Sequence, residues 1–266
     1  MTAIDVPIEM YLRDVGEVFT AFRQQGSGTV SYGVLADGDR WFVKQSGNSS
    51  IVESLRRALH LNTTVRHPAL PRLRHSFETP GGLAIVYDWV PGEVLYDPRL
   101  TREQRRFDPS HPHVRFRSLP VTDILDALDT IFDAHVVLAE HGFVASDFYD
   151  GCIIYDFEGS QTFLCDLDEY RPGPWVLERD RAYGSTRFMA PEEFRRGTTI
   201  DHVTSVFNLG RAATVLLGDG TESLDAFRGN EAVREVVARA TNPDRTRRHH
   251  SVGEFVIEWR ATIASN

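Results

Sequence analysis

His141-Gly142-Phe143-Val144-Ala145-Ser146-Asp147-Phe148-Tyr149-Asp150-Gly151-Cys152-Ile153-Ile154, followed after a turn by Phe163-Leu164-Cys165-Asp166-Leu167-Asp168, is the stretch on which the reading of this chain turns. Two short runs, Cys152 to Tyr155 and Thr162 to Cys165, read as strands separated by the turn residues Glu158-Gly159-Ser160. Carboxylates at 147, 150, 166 and 168 sit on the turns that flank them. One carboxylate can position or deprotonate a hydroxyl, and another can hold magnesium, which favours hard oxygen ligands. Turn formation accounts for one or two of these aspartates. Four together point to chemistry.

Upstream, Ile124, Leu125, Leu128, Ile131, Phe132, Val136 and Leu138 predict a long amphipathic helix that stops near Gly142. The first 90 residues read as strands with one helix. Val18 to Phe22 is a β-prone run, and Gln24 to Thr29 a turn-rich segment. Val30 to Val34 and Arg40 to Lys44 are two further runs, which Asp37-Gly38 joins as a hairpin. Gly26 and Gly28 permit close backbone approach and free N–H groups for phosphate oxygens, a weak signal by itself. Lys44 alternates with apolar residues; buried, it needs an anion such as phosphate, and otherwise it is an exposed strand end. Ile51, Leu55, Ala58 and Leu61 mark a helix over 50–61, broken at His67-Pro68. Leu83 to Tyr87 predicts a strand, and Pro91-Gly92 a turn.

Residues 93 to 120 read as a long surface excursion, with a short helix opened by a capping box at Thr101 to Gln104. Its Arg102, Arg105, Arg106, His111, His113 and Arg115 could meet an anionic partner, although a solvated loop is the commoner meaning of such a stretch. Downstream, Val203, Val206, Phe207, Leu209, Ala213, Val215 and Leu216 predict an apolar helix, and Ser251-Val252-Gly253-Glu254 caps the last one. Strands first and helices later predict an α+β chain, with a small β-rich lobe over 1–90 and a larger α-rich lobe over 91–266.

The bulk numbers narrow the class. Of the 266 residues, 41% are hydrophobic and 25% charged, an ordinary folded balance. The net charge of −9, with no long basic run, argues against a nucleic-acid partner. No apolar run is long enough to span a bilayer, so no membrane is expected. The start lacks the regions of a signal peptide, and two cysteines are too few for a disulfide framework, so the expected place is the cytoplasm.

Gly184-Ser185-Thr186-Arg187-Phe188-Met189-Ala190-Pro191-Glu192 completes the pattern. A Gly-rich hairpin, a strand lysine, an aspartate loop, a second aspartate and Ala-Pro-Glu, in that order, resemble the protein-kinase family over residues 18 to 262. The resemblance implies one two-lobed kinase-like domain that binds ATP and Mg2+ and acts on a protein substrate or docks a regulatory protein partner. It makes Lys44 the grip on the α- and β-phosphates, with Gly26 and Gly28 in the phosphate-covering hairpin. Asp88-Trp89-Val90 becomes the linker that meets adenine, with Tyr87 just before it as gatekeeper. Asp147 becomes the catalytic aspartate, Asp166 the magnesium aspartate, and Ser185 the residue that hydrogen-bonds the catalytic aspartate. Arg248 is implied to pair with Glu192.

The departures are as informative. The His-Arg-Asp triplet reads Ala145-Ser146-Asp147, which removes the usual docking charge for a phosphorylated loop. Tyr149 replaces the catalytic-loop lysine, and Cys152 the magnesium-binding asparagine; a thiol is a poor magnesium ligand. Asp150 and Asp168 are the candidates for the second metal contact. Ala58 stands where the helix glutamate should pair with Lys44, with Glu53 the nearest glutamate. Phe42 replaces a small residue above the base; it either fills that space or stacks on the ring, as an aromatic does in aminoglycoside phosphotransferases, and stacking is favoured. The expected function is ATP-dependent transfer to a Ser/Thr hydroxyl of a protein. The alternatives are a pseudokinase that senses nucleotide or docks partners, and a small-molecule kinase.

Overall fold

A computed structural model describes residues 2–23 and 28–264. The chain is mixed α and β, about 40% helix and 21% strand. It divides into two compact units, one of residues 1–66 and 70–90, the other of 67–69 and 91–266.

The first unit is built on a six-stranded sheet. Its elements are β1 (Thr2–Ala3), α1 (Ile8–Val15), β2 (Glu17–Phe22), β3 (Val30–Ala36), β4 (Asp39–Ser46), α2 (Ser49–Thr64), β5 (Leu73–Thr79) and β6 (Gly82–Asp88). The strand order is β1-β5-β6-β4-β3-β2, parallel only between β1 and β5. The β3–β4 hairpin forms as the Asp-Gly pair dictates. Asp37 (φ 54°) and Gly38 (φ 85°) both take the left-handed backbone that a two-residue turn needs to match the strand twist.

Alternation along the strands separates two faces. Tyr32, Val34, Val43, Phe77 and Ala84 pack on one, with Ile8 and Leu12 of α1. Ile85, Leu83 and Tyr87 pack on the other, against Leu55 and Ala58 of α2. Residues 1–90 were expected to hold one helix and hold two. The extra one, α1, follows Pro7; Ile8, Tyr11, Leu12 and Val15 stand at i, i+3, i+4 and i+7, a helical period that was there to read.

The second unit carries β7 (Glu93–Val94), α3 (Arg102–Phe107), α4 (Pro112–Arg117), α5 (Val121–Glu140), β8 (Phe143–Val144), β9 (Ile153–Asp156), β10 (Gln161–Leu164), β11 (Arg171–Pro172), β12 (Trp175–Val176), β13 (Thr199–Ile200), α6 (His202–Leu217), α7 (Glu231–Ala240) and α8 (Val252–Ile263). Gly142, at φ 81°, ends α5 in the left-handed turn that glycine favours. Phe132 of α5 meets Phe255 and Trp259 of α8 edge to face, with centroids 5.0 and 4.9 Å away. No helix among the described residues is long and apolar enough to cross a membrane.

Residues 93–120 are not the loose surface excursion their composition suggested. Thr101 and Gln104 do form the capping box, each side chain bonding the other's backbone N–H. Beyond it, Leu95, His111, His113 and Phe116 are buried, and Phe116 packs edge to face on Tyr155 at 4.9 Å. The basic residues have partners inside the unit: Arg102 with Glu222, Arg106 with Asp219 and Arg115 with Glu93.

Candidate functional site: an aspartate loop pair and an aromatic platform

In the second unit, three described non-glycine residues take left-handed backbone: Ser160 in the turn between β9 and β10, and Asp147 and Asp166 on loops to either side of that hairpin. Asp147 has φ 60° and Asp166 φ 57°, a conformation that non-glycine residues seldom adopt and that clusters at functional sites. Their two loops are tied together. The N–H of Cys165 donates to the carbonyl of Cys152 at 2.9 Å. The buried Cys152 thiol lies 3.2 Å from the carbonyl of Asp147 and 4.0 Å from that of Asp166. Burial pushes this thiol well up, with Asp166 and Asp147 adding to the effect, so it stays protonated and donates. The Cys152 thiol therefore serves a backbone carbonyl, that of Asp147 at the shorter distance.

Further bonds anchor the Asp147 loop. The N–H of Ala145 donates to Ser205 Oγ on α6 at 3.0 Å. His135 of α5 stacks edge-on against Phe148 at 4.7 Å. His135 Nδ1 lies 2.7 Å from the carbonyl of Ile131 and must donate to it, so Nε2 accepts from the Tyr170 hydroxyl at 2.7 Å. Burial drops His135 to about 4, which keeps the ring neutral. Gly184 packs on Asp147. A Cβ there would come 3.4 Å from Asp147 Oδ1, and the φ of 131° suits glycine alone. Ser185, next in sequence, is half-buried, and its carbonyl accepts from the N–H of Phe188 at 2.9 Å.

Asp166 is exposed and Asp168 is 9% exposed. Asp150 requires a correction. It is not available as a metal ligand, because its carboxylate forms a buried ion pair with Arg187 at 2.5 Å. His113 stands beside it: Arg117 Nε–H donates to His113 Nδ1 at 3.2 Å, which leaves the ring proton on Nε2, 3.4 Å from Asp150 Oδ2. Burial raises Asp150 while Arg187 opposes the rise, and a cation already fills that role. The excursion also reaches the aspartate loop where Tyr96 packs edge-on against Tyr149 at 5.3 Å. Sequence reasoning missed this cluster because its partners lie far apart in the chain.

The donor set fits magnesium in a limited way. No group of three or more His, Cys, Asp or Glu able to hold a metal occurs among the described residues. Magnesium in nucleotide sites is commonly held by one or two carboxylates, with phosphates and water completing it. Asp166, an exposed hard oxygen donor on a fixed loop, meets that requirement.

The segment 181–194 meets the Asp147 loop through Gly184. Glu192 receives both arms of Arg248, Nη1 at 2.7 Å and Nη2 at 3.0 Å, the pairing the resemblance implied. Its neighbour Glu193 is 1% exposed and accepts from the Ala190 N–H at 2.6 Å and Asn208 Nδ2 at 2.8 Å. Burial pushes Glu193 up to about 7, with Glu192 and Asp147 adding to the rise. A raised folded value means that stability is lost as pH rises from 4.5, the ordinary value, to 7, by about 3 kcal/mol in all. We therefore expect Glu193→Gln to gain on the parent protein as pH is raised from 5 to 8, measured by urea unfolding at each pH. A pH-independent difference between the two would refute the assignment.

A pocket of about 280 Å³ opens beside Ser146. Its walls include Arg171 stacked 4.0 Å over Trp175 and Arg179 stacked 4.0 Å over Tyr183.

In the first unit, Lys44 is 6% exposed and Phe42 half-buried, two apart on β4 and so on one face. Strand register sets their neighbours. Phe22, Ser31, Lys44 and Ile85 form one cross-strand row, and Gly33, Phe42 and Tyr87 the next. A Cβ on Gly33 would lie 2.6 Å from the Phe19 ring, so that ring rests on bare backbone. Phe22 to Phe42, Phe42 to Trp89, and Trp89 to Phe19 follow at 6.4, 6.4 and 4.9 Å between centroids. The result is a continuous aromatic platform. Phe42 therefore joins a surface of rings as well as packing on the α2 side of the sheet. Phe19 and Phe22 were not singled out from sequence, although an F-x-x-F spacing on the first long strand was there to read.

The other residues expected at this site take varied places. Gly28 is exposed at φ 72°, and its carbonyl accepts from Ser46 Oγ at 3.5 Å; Gly26 lies outside the described residues. Asp88 gives its carboxylate to Arg74, so only its backbone could meet a ligand. Val90 is half-buried at the end of the linker. Ala58 packs under the sheet and Glu53 is exposed on α2. No family model matches the chain, and no curated protein matches its sequence.

Proposed function

We propose that the chain is an atypical ATP-dependent phosphotransferase of the protein-kinase type, which passes the γ-phosphate to a Ser or Thr hydroxyl of a protein. The observation that carries this reading is the pair Asp147 and Asp166. Two aspartates on separate loops take left-handed backbone, and the Cys152 thiol lies 3.2 Å from the carbonyl of the first and 4.0 Å from that of the second. A scaffold has no need to hold two carboxylate-bearing residues in this way.

The first unit carries the proposed nucleotide contacts, and the second the proposed metal and acceptor contacts. In the first, the aromatic platform receives the base and Lys44 the phosphates, while Gly28 belongs to the hairpin that covers them. In the second, Asp166 would hold magnesium, which when bound neutralises charge on the transferring phosphate. Asp147 accepts a hydrogen bond from the acceptor hydroxyl and orients it. Ser205, His135 and Gly184 fix the loop that carries it. Ser185, the residue after Gly184, is assigned to hydrogen-bond Asp147. Tyr149 adds no charge to the transfer: burial raises its hydroxyl, which stays neutral.

A pseudokinase is the second reading, and Asp150 favours it. With Asp150 paired to Arg187 and Cys152 engaged with carbonyls, two of the positions that could supply a second metal contact are occupied. A small-molecule kinase draws support from the 93–120 segment, which folds against the aspartate loop through Tyr96 and Tyr149.

Thermal melting with ATP, with and without magnesium, tests the nucleotide step common to the first two readings. At 100-fold over Kd, binding adds about 2.7 kcal/mol and raises Tm by roughly 5–10 °C. Absence of a shift under both conditions would refute nucleotide binding.

A further inference from the structure

We propose that the pocket beside Ser146 takes an acidic side chain of the acceptor protein, so that the favoured hydroxyls have an Asp, a Glu or a phosphorylated residue within about four positions; this rests on the phosphotransferase reading above. The pocket, of about 280 Å³, is walled by residues of the second unit. Three of them suit an oxyanion: Ser146 with its hydroxyl, and Arg171 and Arg179 with their guanidinium groups. Ser146 is 3% exposed, and its hydroxyl has no hydrogen-bond partner among the described residues. Buried hydroxyls are usually paired, so one that lines a pocket unpaired is matched by a partner from outside.

Rings hold both arginines in place. Arg171 lies 4.0 Å over Trp175, and Arg179 4.0 Å over Tyr183. A guanidinium fork already fixed on a ring loses less freedom when it grips a carboxylate or phosphate. Arg171 shares its charge with Glu169 at 3.6 Å, whereas Arg179 has no ion pair among the described residues. Glu178 also stands in the wall and opposes an anion, but the two cations outnumber it. The chain as a whole carries a net charge of −9, which repels acidic peptides, so an acidic ligand must be held by a local cationic site. Position gives the pocket its role. Ser146 immediately precedes Asp147, and Tyr183 precedes Gly184, where a Cβ would come 3.4 Å from Asp147 Oδ1. Two stretches of the wall therefore run into the loop that holds the acceptor. An extended peptide advances about 3.3 Å per residue, so a side chain in the pocket belongs to a residue close in sequence to the hydroxyl at Asp147.

Titration calorimetry on the full chain tests this with short synthetic peptides that carry a central serine flanked by aspartate, by asparagine or by phosphoserine. The aspartate peptide should bind about tenfold tighter than its asparagine twin, and the phosphoserine peptide tighter still. Arg179→Gln should weaken the aspartate peptide roughly 5- to 10-fold and leave the asparagine peptide unchanged. Glu178→Gln, which removes the opposing charge, should strengthen it. Arg13→Gln, an exposed position on α1 in the other unit, controls for net charge alone, with circular dichroism confirming that the variants fold. Equal binding of the aspartate and asparagine peptides would overturn the proposal, and so would equal losses with Arg13→Gln and Arg179→Gln. Transfer from labelled ATP to the same peptides separates this proposal from the reading beneath it. A lower KM for the aspartate peptide, lost in Arg179→Gln, supports both. Transfer that does not distinguish the peptides would overturn the acidic preference and leave the phosphotransferase reading standing. Charge-dependent binding with no transfer to any peptide would support the oxyanion pocket and overturn the phosphotransferase reading.

Discussion

Arg248→Ala is expected to destabilise the second unit by about 3–5 kcal/mol, the cost of leaving a buried charge without its partner. Arg248 is 1% exposed. Besides both oxygens of Glu192, its guanidinium serves the carbonyls of Asn242 at 2.7 Å and Pro243 at 3.3 Å. Burial alone would raise Glu192, but Arg248 outweighs it and the carboxylate is held below its ordinary value. Truncation would therefore strand an ionised carboxylate and three carbonyls, that of Val203 being the third. Thermal unfolding should show a drop in Tm of roughly 6–20 °C. The double variant Glu192→Gln/Arg248→Met should lose less than Arg248→Ala, because replacing both charges removes the uncompensated one. Equal losses would mean that lost packing sets the cost.

Asp147→Asn should lower the rate of phosphoryl transfer about 100- to 10,000-fold, the range for loss of a positioned acid–base group. The substitution is chosen for its backbone. Asparagine tolerates the left-handed conformation that Asp147 adopts at φ 60°, so the loop is kept while the charge is lost. Alanine would add strain and confuse the result. ATP binding, read calorimetrically, should change little, since Asp147 is assigned to the acceptor. A variant that keeps full activity would remove Asp147 from the role given to it.

Much of this architecture is legible from local chemistry. Asp37-Gly38 specifies its own turn, Thr101 and Gln104 their own cap, and Gly142 the end of α5, because each depends on residues within a few positions. The Glu192–Arg248 pair spans 56 residues and came only from the resemblance. Helix α1 and the F-x-x-F spacing of β2 were local signals left unread; the rest of what escaped depends on distant partners. Asp150 looks like any turn aspartate until Arg187, 37 residues on, and His113 are brought to it. The basic content of residues 93–120 suggested solvent because composition does not reveal that Asp219, Glu222 and Glu93 await those arginines. The platform was half visible: Phe42 stood out as too large, but its companions Phe19 and Phe22 needed the strand register to be placed beside it.

The most direct test is transfer itself. The chain is incubated with ATP labelled at the γ-phosphate and with magnesium, alone and with a mixture of proteins, and label on serine or threonine is measured. The account predicts magnesium-dependent labelling that Asp147→Asn abolishes. No labelling of any protein, under conditions where MgATP still raises the melting temperature, would contradict it.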